Sequence, residues 1–202
     1  MPRNKELNEK IKDERREQIL LASLELFASK GLSATKITHI AQKSGISQGL
    51  LYHYYSSKEE IFTDLVKTAF ERLNMACKYL YNLDVPPQKK IRYGMESILE
   101  NLAVSDSSAN YHLLIAHASL SEDIPVEAKA IIQKENQVPY DIIEKILREG
   151  QKEGTIKKHD AKDMAVLYWT TVKGLAMHKA VHPRKFVPPD INILMSMFLI
   201  DQ

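Results

Sequence analysis

Lys36-Ile37-Thr38-His39-Ile40-Ala41-Gln42-Lys43-Ser44-Gly45-Ile46-Ser47-Gln48-Gly49-Leu50-Leu51-Tyr52-His53-Tyr54-Tyr55 compresses two short helices and the turn between them into one segment. Helices of under three turns joined this tightly must cross steeply and bury a small shared core. Ile37, Ile40, Ile46 and Leu51 have the spacing to fill that core, and Ala41 is small where the backbones would approach. Gly45 supplies the positive φ that the turn needs. The spacing predicts a helix over Lys36–Ser44 capped by Thr35, then a second over Gln48–Tyr55 starting after Ser47.

Working outward, the chain reads as all-α, because no credible alternating strand run occurs and glycine and proline cluster between long periodic segments. A helix over Asp13–Lys30 precedes the segment, with Ile19, Ala22, Leu26 and Phe27 on one face and Gly31 as its stop. Ser57 can cap a long helix after it, with Glu60 completing a capping box and Ile61, Leu65, Ala69 and Leu73 forming the apolar stripe. Asp84-Val85-Pro86-Pro87 breaks that helix. Further helices are expected over Gln88–Ser105, Ala109–Leu120 and Pro125–Glu153, the last interrupted near Pro139. One more starts at Asp160 and runs to Val181, and the final one is opened by Pro188-Pro189-Asp190. The division expected is a helix-turn-helix domain over residues 1–60 and a larger helical domain over 61–202.

Charge adds a hint. The net charge of +2 is too small to argue for a polyanionic partner, but its distribution is uneven. Residues 1–58 hold ten basic and six acidic side chains, and Leu26–Lys58 holds no carboxylate. A surface that approaches phosphates must avoid like charge. If the second short helix enters the major groove, its N-terminal end and exposed face meet DNA. Gln48 can offer a bidentate amide to adenine, and His53 can reach a base edge or a phosphate. Gly49 allows close backbone approach, Tyr52 and Tyr54 carry hydroxyls for phosphates, and Thr35 and Lys58 flank the groove at helix starts. Lys36 and Ser47 complete the expected set. Tyr55 is read as a core aromatic.

Three stretches together resemble the TetR family of transcriptional regulators: Leu20–Phe27, the turn Ser44-Gly45-Ile46-Ser47, and Gly49-Leu50-Leu51-Tyr52-His53-Tyr54-Tyr55-Ser56-Ser57-Lys58-Glu59-Glu60-Ile61. The match covers roughly residues 15–65. Tyr55 departs from the family, which commonly has Phe there, so its hydroxyl needs a partner. Further on, Gly150…Gly154-Thr155-Ile156…Asp160 and Lys173-Gly174-Leu175 are similar only in architecture. The resemblance implies a three-helix DNA-binding domain, a ligand-binding domain and a homodimer built on the last two helices. It also implies repression of a palindromic operator relieved by a small-molecule effector. An activator or an effector-independent DNA binder is the alternative.

Expected interface residues are Gly174, Leu175, Leu194 and Phe198. An effector pocket could be lined by Tyr93, Tyr111, His112 and His117, with Tyr168, Trp169 and Lys173 from a later helix. No cofactor or metal is expected, since His178 and His182 lack a third ligand at clear spacing. No nucleophile elbow or phosphate loop supports an enzyme. Cys77 reads as a packed thiol, and Arg3, Lys5, Lys10, Lys12, Arg15 and Arg16 read as a solvated helix face. With one cysteine, no signal peptide and no membrane span, a cytoplasmic location is expected.

Overall fold

The computed structural model describes residues 2–200, with side chains from Glu9 onward, so the Arg3 and Lys5 side chains lie outside the described residues. Ten helices are described: α1 (Pro2–Ala34), α2 (Ile37–Lys43), α3 (Gln48–Tyr54), α4 (Lys58–Asn82), α5 (Pro87–Val104), α6 (Asp106–Leu120), α7 (Val126–Glu135), α8 (Val138–Lys152), α9 (Ala161–Val181) and α10 (Ile191–Met195). The only strand-like pairing among the described residues is an isolated antiparallel bridge between Ile156 and Leu199. The all-α reading holds. No helix among the described residues is long and apolar enough to cross a membrane.

Helix boundaries follow local chemistry. Ser57 Oγ accepts from the Glu60 N–H, as its expected cap requires, and Ser47, just before the start of α3, accepts from the Leu50 N–H. Asp160 accepts from the N–H groups of Lys162 and Asp163, which together hold its carboxyl below the usual carboxylate range. Gly31 and Gly45 take φ values of 75° and 67°, ending α1's regular run and turning α2 into α3. Glu60 departs from the expected box. Its carboxylate accepts from the N–H and hydroxyl of Ser56, not from the N–H of Ser57, so the reciprocal bond is displaced by one residue.

The helices enclose two main apolar cores. The first gathers Ile19, Phe27, Ile40 and Leu51 of the N-terminal helices with Ile61, Leu65 and Phe70 of α4; Leu114, Ile115 and Ala118 of α6 join it. The second gathers Cys77 and Leu80 of α4 with Ile91 and Met95 of α5, Ile143 and Ile146 of α8, Tyr168 and Trp169 of α9, and Phe198. Leu73 packs against both. The cores therefore do not separate at residue 60: the first third of the chain shares its interior with half of α4 and with α6, which lies along α1.

Two expectations near the C-terminus are corrected. The last helix is a five-residue turn, because the chain leaves helical geometry after Met195 to run back beside Ile156. Phe198 is 0% exposed and packs its ring 6.0 Å from that of Tyr168, and Leu194 is 8% exposed. Both hold the terminal segment to its own subunit. The outward apolar side chains of this segment are Ile193, Met197 and Ile200.

Candidate nucleic-acid interface

α2 and α3 cross over Ile40, Ala41 and Leu51, all buried, with Ile37 and Ile46 packed at the edge of the same core. Burying these residues leaves the opposite faces outward. Lys36 and Thr38 at the start of α2, and Ser47, Gln48, Gly49, Tyr52 and His53 on α3, are exposed. Nothing lies within 4 Å of where a Cβ on Gly49 would stand, so the backbone there is open to close approach. His53 stacks edge-to-face on Tyr54, ring centroids 5.7 Å apart, and Tyr54 is itself half-buried against the first core. Five expected contact residues (Lys36, Gln48, Gly49, Tyr52, His53) thus share one accessible surface, with Ser47 beside them doubling as the α3 cap. Thr38, not singled out from the sequence, belongs to the same surface; its place on the polar side of α2 was the available signal.

Thr35 and Lys58 are used differently. Thr35 is 0% exposed, and its hydroxyl donates to the Gly31 carbonyl at 2.7 Å rather than capping α2, whose N-cap is Lys36 without a side-chain bond. Lys58 Nζ donates to the carbonyls of Leu32 and Thr35, each at 2.8 Å, and of Ser33 at 3.3 Å. Carbonyls at a helix end lack intrahelical partners, and an ammonium among them satisfies both hydrogen bonding and the helix dipole. Lys58 is thereby a clasp between α1, the loop before α2 and the start of α4.

Tyr55 finds the partner that its hydroxyl requires. Tyr55 Oη donates to Asp64 Oδ2 at 2.8 Å and accepts from Arg16 Nε at 3.0 Å, while Arg16 Nη2 reaches the same carboxylate oxygen at 2.8 Å. Burial, foremost, pushes the phenol above its ordinary pKa; hydrogen bonds to Tyr55 and then Asp64 raise the guanidinium's. This node joins α1, the C-terminus of α3 and α4, so Arg16 is more than a solvated charge. Asp64 was not anticipated.

The expected pocket residues separate into groups. Tyr93, Tyr168 and Trp169 line one cavity of about 210 Å³ between α4, α5, α8 and α9, together with Cys77, Leu80, Gly94 and Ile143. Lys173 lies outside that lining; its ammonium donates to Tyr140 Oη at 2.8 Å. Burial, then Lys173, pushes the imidazole of His112 down to about 4, so it is neutral near pH 7. Tyr111 lies instead by Arg72 and the first core, and His117 is exposed near the end of α6. Four of the seven, Tyr111, His112, His117 and Lys173, do not line the cavity; for the three on α6 residue type is the only signal, since helix phase does not distinguish the faces of that helix. Burial pushes the Cys77 thiol up to about 12, which fits a packed thiol. His178 and His182 stack with centroids 4.9 Å apart, and no group of three or more metal-ligating side chains occurs among the described residues.

Lys58→Met should lower the melting temperature by roughly 2–8 °C, as loss of charge-assisted bonds worth about 1–2 kcal/mol would in a chain of this size. The slope of DNA affinity against salt should stay as in the wild type. Calorimetry and binding at several salt concentrations check this. An unchanged melt with a slope smaller by about one unit would make Lys58 a phosphate ligand instead.

A family profile described as bacterial regulatory proteins, tetR family, matches residues 19–65, which span the α1 C-terminal half, α2, α3 and the start of α4. Over 164 residues the chain is 23% identical to the transcriptional activator FasR of Mycolicibacterium smegmatis, covering 81% of this chain and 71% of the relative. It is 24% identical over 143 residues to the transcriptional repressor KstR2 of the same organism, covering 71% and 68%. The fold is similar to that of the MbdR regulator from Azoarcus sp. CIB, with a TM-score of 0.75 and 22% identity over 91% of this chain and 96% of that one. The two sequence relatives are transcriptional regulators and not enzymes. With its helix-turn-helix face exposed and residues 19–65 matched by the tetR profile, the chain carries a DNA-binding region similar to that of the tetR family and is a DNA-binding transcriptional regulator.

Proposed function

We propose that the protein acts as a homodimer that represses from a palindromic operator and leaves it when a small molecule occupies the cavity between α4, α5, α8 and α9. The observation that carries the DNA part is the single accessible surface of Lys36, Thr38, Gln48, Gly49, Tyr52 and His53, within a run from Leu26 to Lys58 that has no carboxylate. Gln48 reads a base edge, Lys36 and Tyr52 contact phosphates, and His53 reaches either. Ser47 holds the N-terminus of α3 in register through its cap.

Dimerisation is supported by α9. Its inner face is buried, yet its outer face carries Val166, Leu167, Gly174, Met177 and Val181, with Leu167, Met177 and Val181 exposed by 53%, 56% and 66%. Large apolar side chains along one exposed stripe mark a contact surface. Gly174, with open space where its Cβ would be, permits close approach of a two-fold mate. Leu175 packs mainly inward, so of the interface residues expected from sequence only Gly174 faces this stripe.

Effector release is supported by the position of the cavity. Its wall includes Leu73, Cys77 and Leu80 on α4, whose first half shares the first core with α3 and is tied to Tyr55, at the C-terminus of α3, through Asp64. A ligand that tilts α4 changes the separation of two recognition helices, which the double helix holds to a fixed half-site spacing. Typical coupling of about 1–3 kcal/mol would weaken operator binding roughly 5–150-fold.

Selection from random duplex DNA at a fixed salt concentration should return an inverted repeat. Gln48→Ala should alter preference at one position in each half-site, by about 1–3 kcal/mol. A consensus without two-fold symmetry, or unchanged preference in the variant, would count against the reading. Met177→Glu, which enters a symmetric interface twice, should sediment as a monomer at micromolar concentration and lose tight operator binding. A dimeric variant with wild-type affinity would place the interface elsewhere.

A further inference from the structure

The cavity has a mouth and a floor of different character. Ala76, Tyr79, Tyr93 and Asn101 are exposed at its rim, whereas Cys77, Leu80, Ile143, Tyr168 and Trp169 are buried beneath. Among the described residues that line it, none carries a formal charge, and Cys77 stays a neutral thiol. An unpaired ion placed there would lose its hydration without compensation.

Two polar groups on residues that line the cavity lack partners. Tyr168 Oη and Trp169 Nε1 are buried and make no hydrogen bond among the described residues. Buried polar groups are nearly always satisfied, and leaving one unpaired is costly. The indole N–H can only donate, and the phenol can donate. Gly94 lies opposite: a Cβ there would stand 2.9 Å from Tyr168 Oη and 2.7 Å from Leu80 Cδ2, so the hydroxyl faces the α5 wall only because that residue has no side chain. The two rings meet edge-to-face with centroids 5.4 Å apart, and such aromatic walls favour a third ring.

We propose that this cavity selects an uncharged, compact aromatic ligand carrying a hydrogen-bond acceptor that is directed at Tyr168 and Trp169. This rests on the cavity's being the effector site. Since a cavity of about 150 Å³ holds benzene, one of about 210 Å³ holds roughly 8–10 non-hydrogen atoms. Aryl ketones, aldehydes and similar neutral oxygenated rings meet these terms; aromatic carboxylates and amines of equal size do not.

Trp169 is the only tryptophan of the chain, so intrinsic fluorescence reports on the floor directly. The full chain is titrated with acetophenone, ethylbenzene, benzoate and benzylamine, with free tryptophanamide as the control for collisional quenching. Acetophenone should quench saturably, ethylbenzene should bind about tenfold more weakly for want of an acceptor, and the two ions at least a hundredfold more weakly. Tyr168→Phe keeps the reporter and should narrow the gap between acetophenone and ethylbenzene. Gly94→Ala should abolish acetophenone binding; should that variant fail to fold, Tyr168→Phe and the ligand series still decide. Benzoate or benzylamine binding as tightly as acetophenone would overturn the ligand class while leaving the cavity as an effector site. No saturable response to any of the four would overturn both. Saturable acetophenone binding with unchanged operator affinity would uphold the ligand class and remove only effector release.

Discussion

One helix belongs to two interiors. α4 buries Ile61, Phe62, Leu65 and Phe70 in the core shared with α1, α2 and α3, and Cys77 and Leu80 in the core shared with α5, α8 and α9. Leu73 touches both. Packed interiors have few voids and resist continuous deformation, so a rigid element common to two of them is displaced as a body or not at all. The Arg16–Tyr55–Asp64 node adds a polar tie at its N-terminal end, fixing α4 to the helix that precedes the turn and to the last residue after α3. The C-terminus of α3 is therefore tied to one half of α4, and the cavity is cut into the other.

That arrangement separates the polar groups that hold the DNA-binding region together from those left free to bind. Thr35, Lys58, Arg16, Asp64 and Tyr55 all have partners within the chain. Lys43 pairs with Glu25 at 2.6 Å. Lys36, Thr38, Gln48, Tyr52 and His53 face outward over a surface from which carboxylates are absent in sequence from Leu26 to Lys58. Affinity for a polyanion depends on groups that can replace counterions, and position relative to the groove does not suffice if the ammonium is already committed to backbone carbonyls.

What the sequence made legible is what short-range physics decides. Ser47, Ser57 and Asp160 cap helices from three residues away, and Gly31 and Gly45 adopt the backbone that only glycine takes without strain. The crossing of α2 and α3 followed from the spacing of Ile40, Ala41 and Leu51. The remainder depends on partners distant in sequence. Nothing near Lys58 announces the carbonyls of residues 32–35, and nothing near Tyr55 announces Arg16. Phe198 and Leu194 have the pattern of an interface helix, yet the chain closes onto Ile156 and turns them inward. Met177 and Val181 were legible in principle, because α9 is apolar on both sides and only one side can face its own core. Tyr93, Tyr168 and Trp169 line one cavity, whereas Tyr111, His112 and His117 lie on α6, whose pattern does not distinguish its faces.

The central claim is that α4 is one mechanical unit from the recognition helix to the cavity floor. Native-state hydrogen exchange of its amides tests this without knowledge of operator or effector, since each cooperative unit exchanges with its own opening free energy. The account predicts one common opening free energy for amides from Leu65–Phe70 and from Cys77–Leu80, close to that of global unfolding. A Leu65–Phe70 half that opens with α1–α3 while Cys77–Leu80 stays protected would contradict it.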